Sequence, residues 1–178
     1  QEDFSTVSVS DSLGNLLFYS DGGYVWDRNN QLMPHGSGLY GWANPNQHVY
    51  TVKSLNNDST FFLFYILVDG IIPFWSPGLY YSVIDMRLSG GLGDVVATLK
   101  NIPVPGGQNV GPWMTGTRHR NNKDAWLVVR NVLPDQYLSY RITSSGININ
   151  PVVSPSLVYT TVPPPSSVYQ GQLKISQD

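Results

Sequence analysis

VYTVKSLNNDSTFFLFYILV, residues 49–68, carries the pattern on which the fold turns. Val49 to Val52 reads as a short strand, Asn56-Asn57-Asp58 as a polar turn, and Phe61 to Val68 as an apolar return strand. Asn and Asp favour such turns because their side chains bond to nearby backbone N–H groups. Aromatic and β-branched residues suit the flanking segments, since they fit a pleated, half-buried surface. Phe61 to Val68 is the longest apolar run of the chain. It is far short of the ~20 residues that span a bilayer as a helix, and it fits one or two buried strands.

The same unit of strand, polar turn and apolar return strand occurs twice more. Val7 to Val9 passes through Asp11-Ser12-Leu13-Gly14-Asn15 into Leu16 to Tyr19, and a strand from Thr115 passes through Asn121-Asn122-Lys123-Asp124 into Trp126 to Arg130. Further strands are expected at Tyr24-Val25-Trp26, Tyr80 to Met86, Val95 to Leu99, Tyr137 to Thr143, near Ile147 to Val153, and from Gln172 to Ser176. Asp11, Asp58 and Asp124 mark the three turns, and Asp178 sits where a fourth would begin. The spacings of roughly 47, 66 and 54 residues lie at or above the ~40–50 of propeller blades. A unit of up to four short strands cannot bury both faces alone, so such units stack. The pattern predicts an all-β, antiparallel chain of about three β-propeller-like blades, incomplete as given. The approximate blades are 1–47, 48–110 and 111–160, with the start of another at 168–178. A β-sandwich is the alternative with the same alternation.

Composition excludes other classes. The 178 residues contain three alanines and one glutamate, so the best helix formers are nearly absent and neither a helical bundle nor a doubly wound α/β fold is expected. Charged residues are 12% of the chain, about half of the usual ~25%. Gly (17) and Pro (13) are abundant. A net charge of −2 leaves no basic surplus for phosphate contacts, which argues against nucleic acid. With no cysteine there is no thiol catalysis, Cys-ligated zinc or disulfide. Low charge with abundant Ser and Asn favours an exported surface domain.

Longer segments resemble a known family. Val9-Ser10-Asp11, Gly14 to Gly22, Val25-Trp26 and Met33-Pro34-His35-Gly36 resemble a segment of large exported Bacteroidota proteins. Gly78 to Met86, Gly90 to Val95, Arg118-His119 to Trp126 and Ile142 to Gly146 are similar to the same family, in the same order. In that family the region resembles a WD40-like β-propeller, often followed by a type IX secretion sorting domain. The resemblance implies a secreted or outer cell-surface location and a role in binding or adhesion. Two features depart from the family: the unusually apolar Ile71-Ile72-Pro73-Phe74-Trp75-Ser76-Pro77, and the lack of a sorting domain, which together with family members continuing past both ends points to a fragment of a longer protein.

Candidate chemistries are few. His35, His48 and His119 are far apart in sequence, and His119 stands between Arg118 and Arg120, whose charges oppose a cation. They read as structural or surface histidines, and no metal or cofactor is expected. Gly36-Ser37-Gly38 is one residue too tight for the nucleophile elbow of a serine hydrolase. Glycoside hydrolysis needs two placed carboxyl groups, which with a single Glu would both be Asp. Asp11, Asp21, Asp58, Asp94, Asp124 and Asp135 all sit in turn contexts, where each is expected to bond its own turn. Asp27-Arg28-Asn29-Asn30 lacks the spacing and Gly of a calcium loop. Gly90-Gly91-Leu92-Gly93 opens no helix, so it reads as a tight inter-strand turn and not a phosphate cradle.

The aromatic residues remain. Phe61, Phe62, Phe64, Tyr65 and Trp126 fall in expected strands and read as core. Trp42, Trp75 and Trp113, with Phe74, fall in Gly/Pro/Asn-rich loops. An exposed Trp offers an apolar face and one donor to a sugar ring or a protein. The competing reading is that these residues plug the seams between blades or cover surface that missing blades would cover, with Trp75 the exception. Sequence thus predicts a non-enzymatic binding, adhesion or scaffold module that presents the loops Ile71 to Gly78 and Gly111 to Met114. Its partner would be a cell-surface protein or glycan, with further blades or another chain covering open edges. The alternatives are a secreted hydrolase acting through clustered Asp residues and a structural subunit of a larger surface assembly.

Overall fold

The computed structural model describes residues 6–41, 48–67, 78–156 and 173–175. Among them every strand pairing is antiparallel. Two short 3-10 turns, Ser89–Gly91 and Ala97–Leu99, are the only helical elements among the described residues. The strands form three open sheets in chain order. Sheet A joins β1 (Val7–Ser10), β2 (Leu16–Ser20) and β3 (Val25–Asp27). Sheet B runs β4 (Val49–Lys53), β5 (Thr60–Leu67), β6 (Gly78–Asp85), with β7 (Asp94–Val95) and β8 (Ile102–Gln108) both paired to β6. Sheet C runs β9 (Val110–Arg118), β10 (Ala125–Val132), β11 (Asp135–Thr143), with β12 (Gly146–Ile147) and β13 (Val152–Pro155) both paired to β11.

Sheets B and C share one plan. Three full strands meander, and the fourth place is filled by two short pieces end to end: β7 then β8 in sheet B, β12 then β13 in sheet C. In sheet A the fourth place shrinks to one bridge, Trp26 to Leu32. The three turns singled out in the sequence each close the first hairpin of a sheet. The three first strands also lie side by side, β4 between β1 and β9.

Sheet B is the middle layer, and this explains why 61–67 is apolar throughout. Phe61, Leu63 and Tyr65 pack with Val9, Phe18 and Val25 of sheet A. Phe62, Phe64 and Ile66 pack with Met114, Leu127 and Tyr140 of sheet C. A strand covered on both faces needs no polar alternation. The outer sheet does alternate: along β10, Ala125, Leu127, Val129 and Asn131 are buried while Trp126, Val128, Arg130 and Val132 are half-buried. At the A–B seam the Gly41 amide donates to the Gly22 carbonyl (3.1 Å). Deeper in, the Tyr65 hydroxyl donates to Asn101 Oδ1 and stands beside Ser82 Oγ, both at 2.6 Å. Burial pushes this hydroxyl well above its usual range of ionisation.

Some expectations are corrected. Val95 to Leu99 is a two-residue strand followed by a 3-10 turn. β8 reads IPVPGGQ, whose prolines and glycines look like loop; it pairs only with β6, with a register shift, and a sheet edge tolerates proline. The strand expected near Ile147 to Val153 is two pieces, β12 and β13. Gln172 to Ser176 lies partly outside the described residues, and 173–175 are not in a strand. No helix among the described residues is long and apolar enough to cross a membrane.

Candidate binding cleft

Between sheets B and C, where their first hairpins turn, lies a cleft of about 560 Å³. Its residues include Tyr50, Val52 and Ala125, the 54–58 turn, the end of β9 at Thr117 and Arg118, and the turn residues Asn122 and Asp124. The Tyr50 hydroxyl donates to the Gly116 carbonyl (3.1 Å). A side chain at Gly116 would place its Cβ 2.6 Å from Tyr50 Cε1, so glycine is what lets the ring lie on β9. The Asn56 amide donates to the Ser144 carbonyl of the neighbouring sheet. Arg118 has no ion pair among the described residues.

Two carboxylates border the cleft. Asp58 pairs with Lys53 (2.7 Å), which holds its carboxyl below the usual range. Asp124 accepts from Asn121 Nδ2 (2.8 Å) and from the Arg141 guanidinium, and these donors lower its pKa. Both are therefore ionised at neutral pH. A glycosidase needs one of its two acids protonated, which calls for a raised pKa. The cleft offers amides, cations and ionised carboxylates, which suit binding polar groups and supply no proton donor of that kind.

The expected turn role holds for only some Asp residues. Asp11 Oδ1 accepts the Leu13 and Asn15 amides, each at 2.9 Å, and Asp21 Oδ1 accepts those of Gly23 and Tyr24, each at 2.8 Å. At the other two hairpins an asparagine takes the role. Asn57 Oδ1 accepts the Ser59 amide (3.0 Å), and Asn121 Oδ1 accepts those of Lys123 and Asp124 (2.9 and 3.0 Å). This leaves Asp58 and Asp124 to pair with cations. Asp135 pairs with Arg130 (2.9 Å). Asp94 is buried and reaches across 59 residues, accepting the His35 amide (2.9 Å) and facing His35 Nδ1 (2.7 Å). These carboxylates do not form one cluster: among the described residues no group of three or more His, Asp or Glu is placed to hold a metal ion.

The histidines behave as structural groups. His48 is fully buried, and its Nε2 donates to the Gly41 (2.9 Å) and Asp21 (3.2 Å) carbonyls. His35 is held by Asp94 with about half its side chain exposed. The Gly90 to Gly93 segment lies between β6 and β7, with Gly90, Gly91 and Gly93 at positive φ, as a tight turn requires.

Trp113 and Trp126 each depart in one respect from the expectation, Trp113 in its element and Trp126 in its depth. Trp113 lies in β9, not in a loop, and is 6% exposed, with the Arg130 guanidinium 5.1 Å from its ring centroid. Gly111 and Pro112 mislead because β9 is an edge strand, and its register against β10 shifts at this point. Edge strands and bulges accept both residue types. Trp126, read as core, stands on the outer side of sheet C, half-buried, with the His119 ring 5.4 Å away. Alternation along β10 was the signal, since Leu127 and Val129 on either side of Val128 fix which face points inward. Trp42, Phe74, Trp75 and most of the Ile71 to Gly78 loop lie outside the described residues. No family model, curated protein or solved structure matches this chain.

Proposed function

We propose that the chain is a run of three β-propeller-type blades, sheets A, B and C, serving as a non-enzymatic binding or scaffold module at the cell surface of a bacterium. The observation that carries the blade reading is the side-by-side placement of the three first strands, each starting a meander whose fourth place is short or divided. Blades around an axis share this arrangement, and a two-layer sandwich does not require it. The binding reading rests on the cleft between sheets B and C, whose volume falls in the ~300–1,000 Å³ range of ligand sites. Its ionised carboxylates weigh against the hydrolase alternative. The partner is a surface protein or glycan. Trp42, Phe74 and Trp75 remain candidates for partner contact, and Trp113 is a weaker one because it is buried.

The test pairs a binding assay with a hydrolysis assay on the purified chain. Fluorescently labelled protein should bind saturably to intact cells of the source organism. It should release neither reducing ends from surface polysaccharide nor peptides from casein. Hydrolysis abolished by Asp58→Asn or Asp124→Asn would overturn the reading in favour of an enzyme.

A further inference from the structure

Strand register fixes which residues of β9 face sheet B. Met114, Gly116 and Arg118 stand opposite Val129, Leu127 and Ala125 of β10, and those three belong to the B–C core. Met114 is fully buried in that core, and Gly116 leaves room for the Tyr50 ring. Arg118, the last of the row, is exposed and lines the cleft where the core ends. Asn56, Asn57 and Asn122 line the same cleft and are also exposed.

The segment 118–123 is cationic. Arg118, Arg120 and Lys123 are three of the ten lysines and arginines, so this tip is positive although the chain carries a net charge of −2. All three are exposed, and none has an ion pair or a side-chain hydrogen bond among the described residues. The nearby carboxylates do not neutralise them: Asp124 is engaged by Arg141 and Asn121, and Asp58 by Lys53. A guanidinium without a carboxylate partner presents its fork of donors to an outside anion. The Asn57 side-chain nitrogen and the whole Asn122 side-chain amide also lack hydrogen bonds among the described residues, which leaves them for hydroxyl groups.

We propose that the cleft holds an anionic sugar of a polysaccharide, with its carboxylate or sulfate on the Arg118 guanidinium and its hydroxyls on Asn57 and Asn122. Arg120 and Lys123 attract the neighbouring anionic units. This rests on the binding reading above and names the ligand class of that cleft. A glycan fits better than an acidic peptide, because neutral amides and ionised carboxylates stand beside the free cation. Those groups match sugar hydroxyls, which acidic side chains do not bring.

Titration of the fluorescently labelled chain with polygalacturonate, dextran sulfate, neutral dextran and polyglutamate tests this. The chain should bind polygalacturonate or dextran sulfate, the pair telling carboxylate from sulfate, and should not bind neutral dextran. Added salt should weaken the binding, since the charges are exposed. Arg118→Ala should lose about tenfold or more, the scale of a hydrogen bond to a charged group. Arg118→Lys should keep part of the affinity, because it retains the charge without the fork. Lys100→Ala should bind as wild type does, since Lys100 donates to the Ser37 carbonyl on the sheet A side. Full affinity in Arg118→Ala would overturn the proposal, and so would an equal loss in Lys100→Ala, which would mean general surface charge. Polyglutamate bound as tightly as the acidic polysaccharides would overturn it in favour of an acidic peptide. A chain that binds cells but neither acidic polysaccharide would sink this inference alone and leave the proposed function standing.

Discussion

Leu63→Ala and Phe64→Ala are each expected to destabilise the chain by about 2–5 kcal/mol, the usual range for emptying a fully buried large side chain. Both side chains are fully buried, although they are neighbours on one strand and point to opposite faces. Leu63 packs into the A–B core and Phe64 into the B–C core. In a sheet with one wet face, one of two adjacent residues is cheap to truncate. Here neither is, because sheet B lies between two others. Urea unfolding midpoints of the two variants check this. Val128→Ala, on the half-buried outer side of β10, should cost well under half as much as Leu127→Ala. If Leu63→Ala or Phe64→Ala proves as mild as Val128→Ala, the middle-layer placement of sheet B is wrong.

Gly41→Ala should cost about 3 kcal/mol, the upper part of the range for overpacking a filled site. A Cβ at this position would stand 2.5 Å from Tyr65 Cβ and 2.8 Å from the Gly22 carbonyl oxygen. Neither neighbour can swing aside. Tyr65 is anchored through its hydroxyl to Asn101 and Ser82, and Gly22, at φ 88°, is tied back to the Gly41 amide. His48 would also be disturbed, since it donates to the Gly41 carbonyl. The added methyl therefore strains the whole seam between sheets A and B. Gly14→Ala is the contrast: its Cβ would meet nothing within 4 Å, so only the penalty of its positive φ remains. A melting temperature for Gly41→Ala no lower than that of Gly14→Ala would contradict this account of the seam.

Much of the fold was legible because alternation and turn chemistry are local signals. The three first hairpins stood out through the polar turns at Asp11, Asp58 and Asp124 between apolar runs, although in the last two it is Asn57 and Asn121 whose side chains close the turn. The unbroken run at 61–67 pointed to burial, but only the packing shows that it is buried on both faces. What was illegible depended on partners distant in sequence. β8 is a strand because β6 offers it an edge, despite two prolines and two glycines. Asp94 looked like a turn residue and instead receives His35 from 59 residues away. The two tryptophans depart from expectation for related reasons. Trp113 lies in an edge strand disguised by Gly111 and Pro112, and Trp126 sits in a regular strand whose phase, not its composition, turns the ring outward. The cleft was not foreseen at all. It arises where the 54–58 and 119–124 turns meet across two sheets, and nothing in either turn alone announces the other.

The central claim is a three-layer stack with sheet B in the middle, and hydrogen exchange of backbone amides tests it most directly. Amides in native proteins open locally with free energies that rise toward the best-buried elements. β5 is paired on both sides, by β4 and β6, and covered on both faces. β10 is also paired on both sides but is only half-buried on one of its faces, and β2 lies in a small outer sheet. The account predicts slowest exchange in 61–66, faster exchange in 126–130, and the fastest of the three in β2. Exchange in 61–66 as fast as in β2 would contradict it.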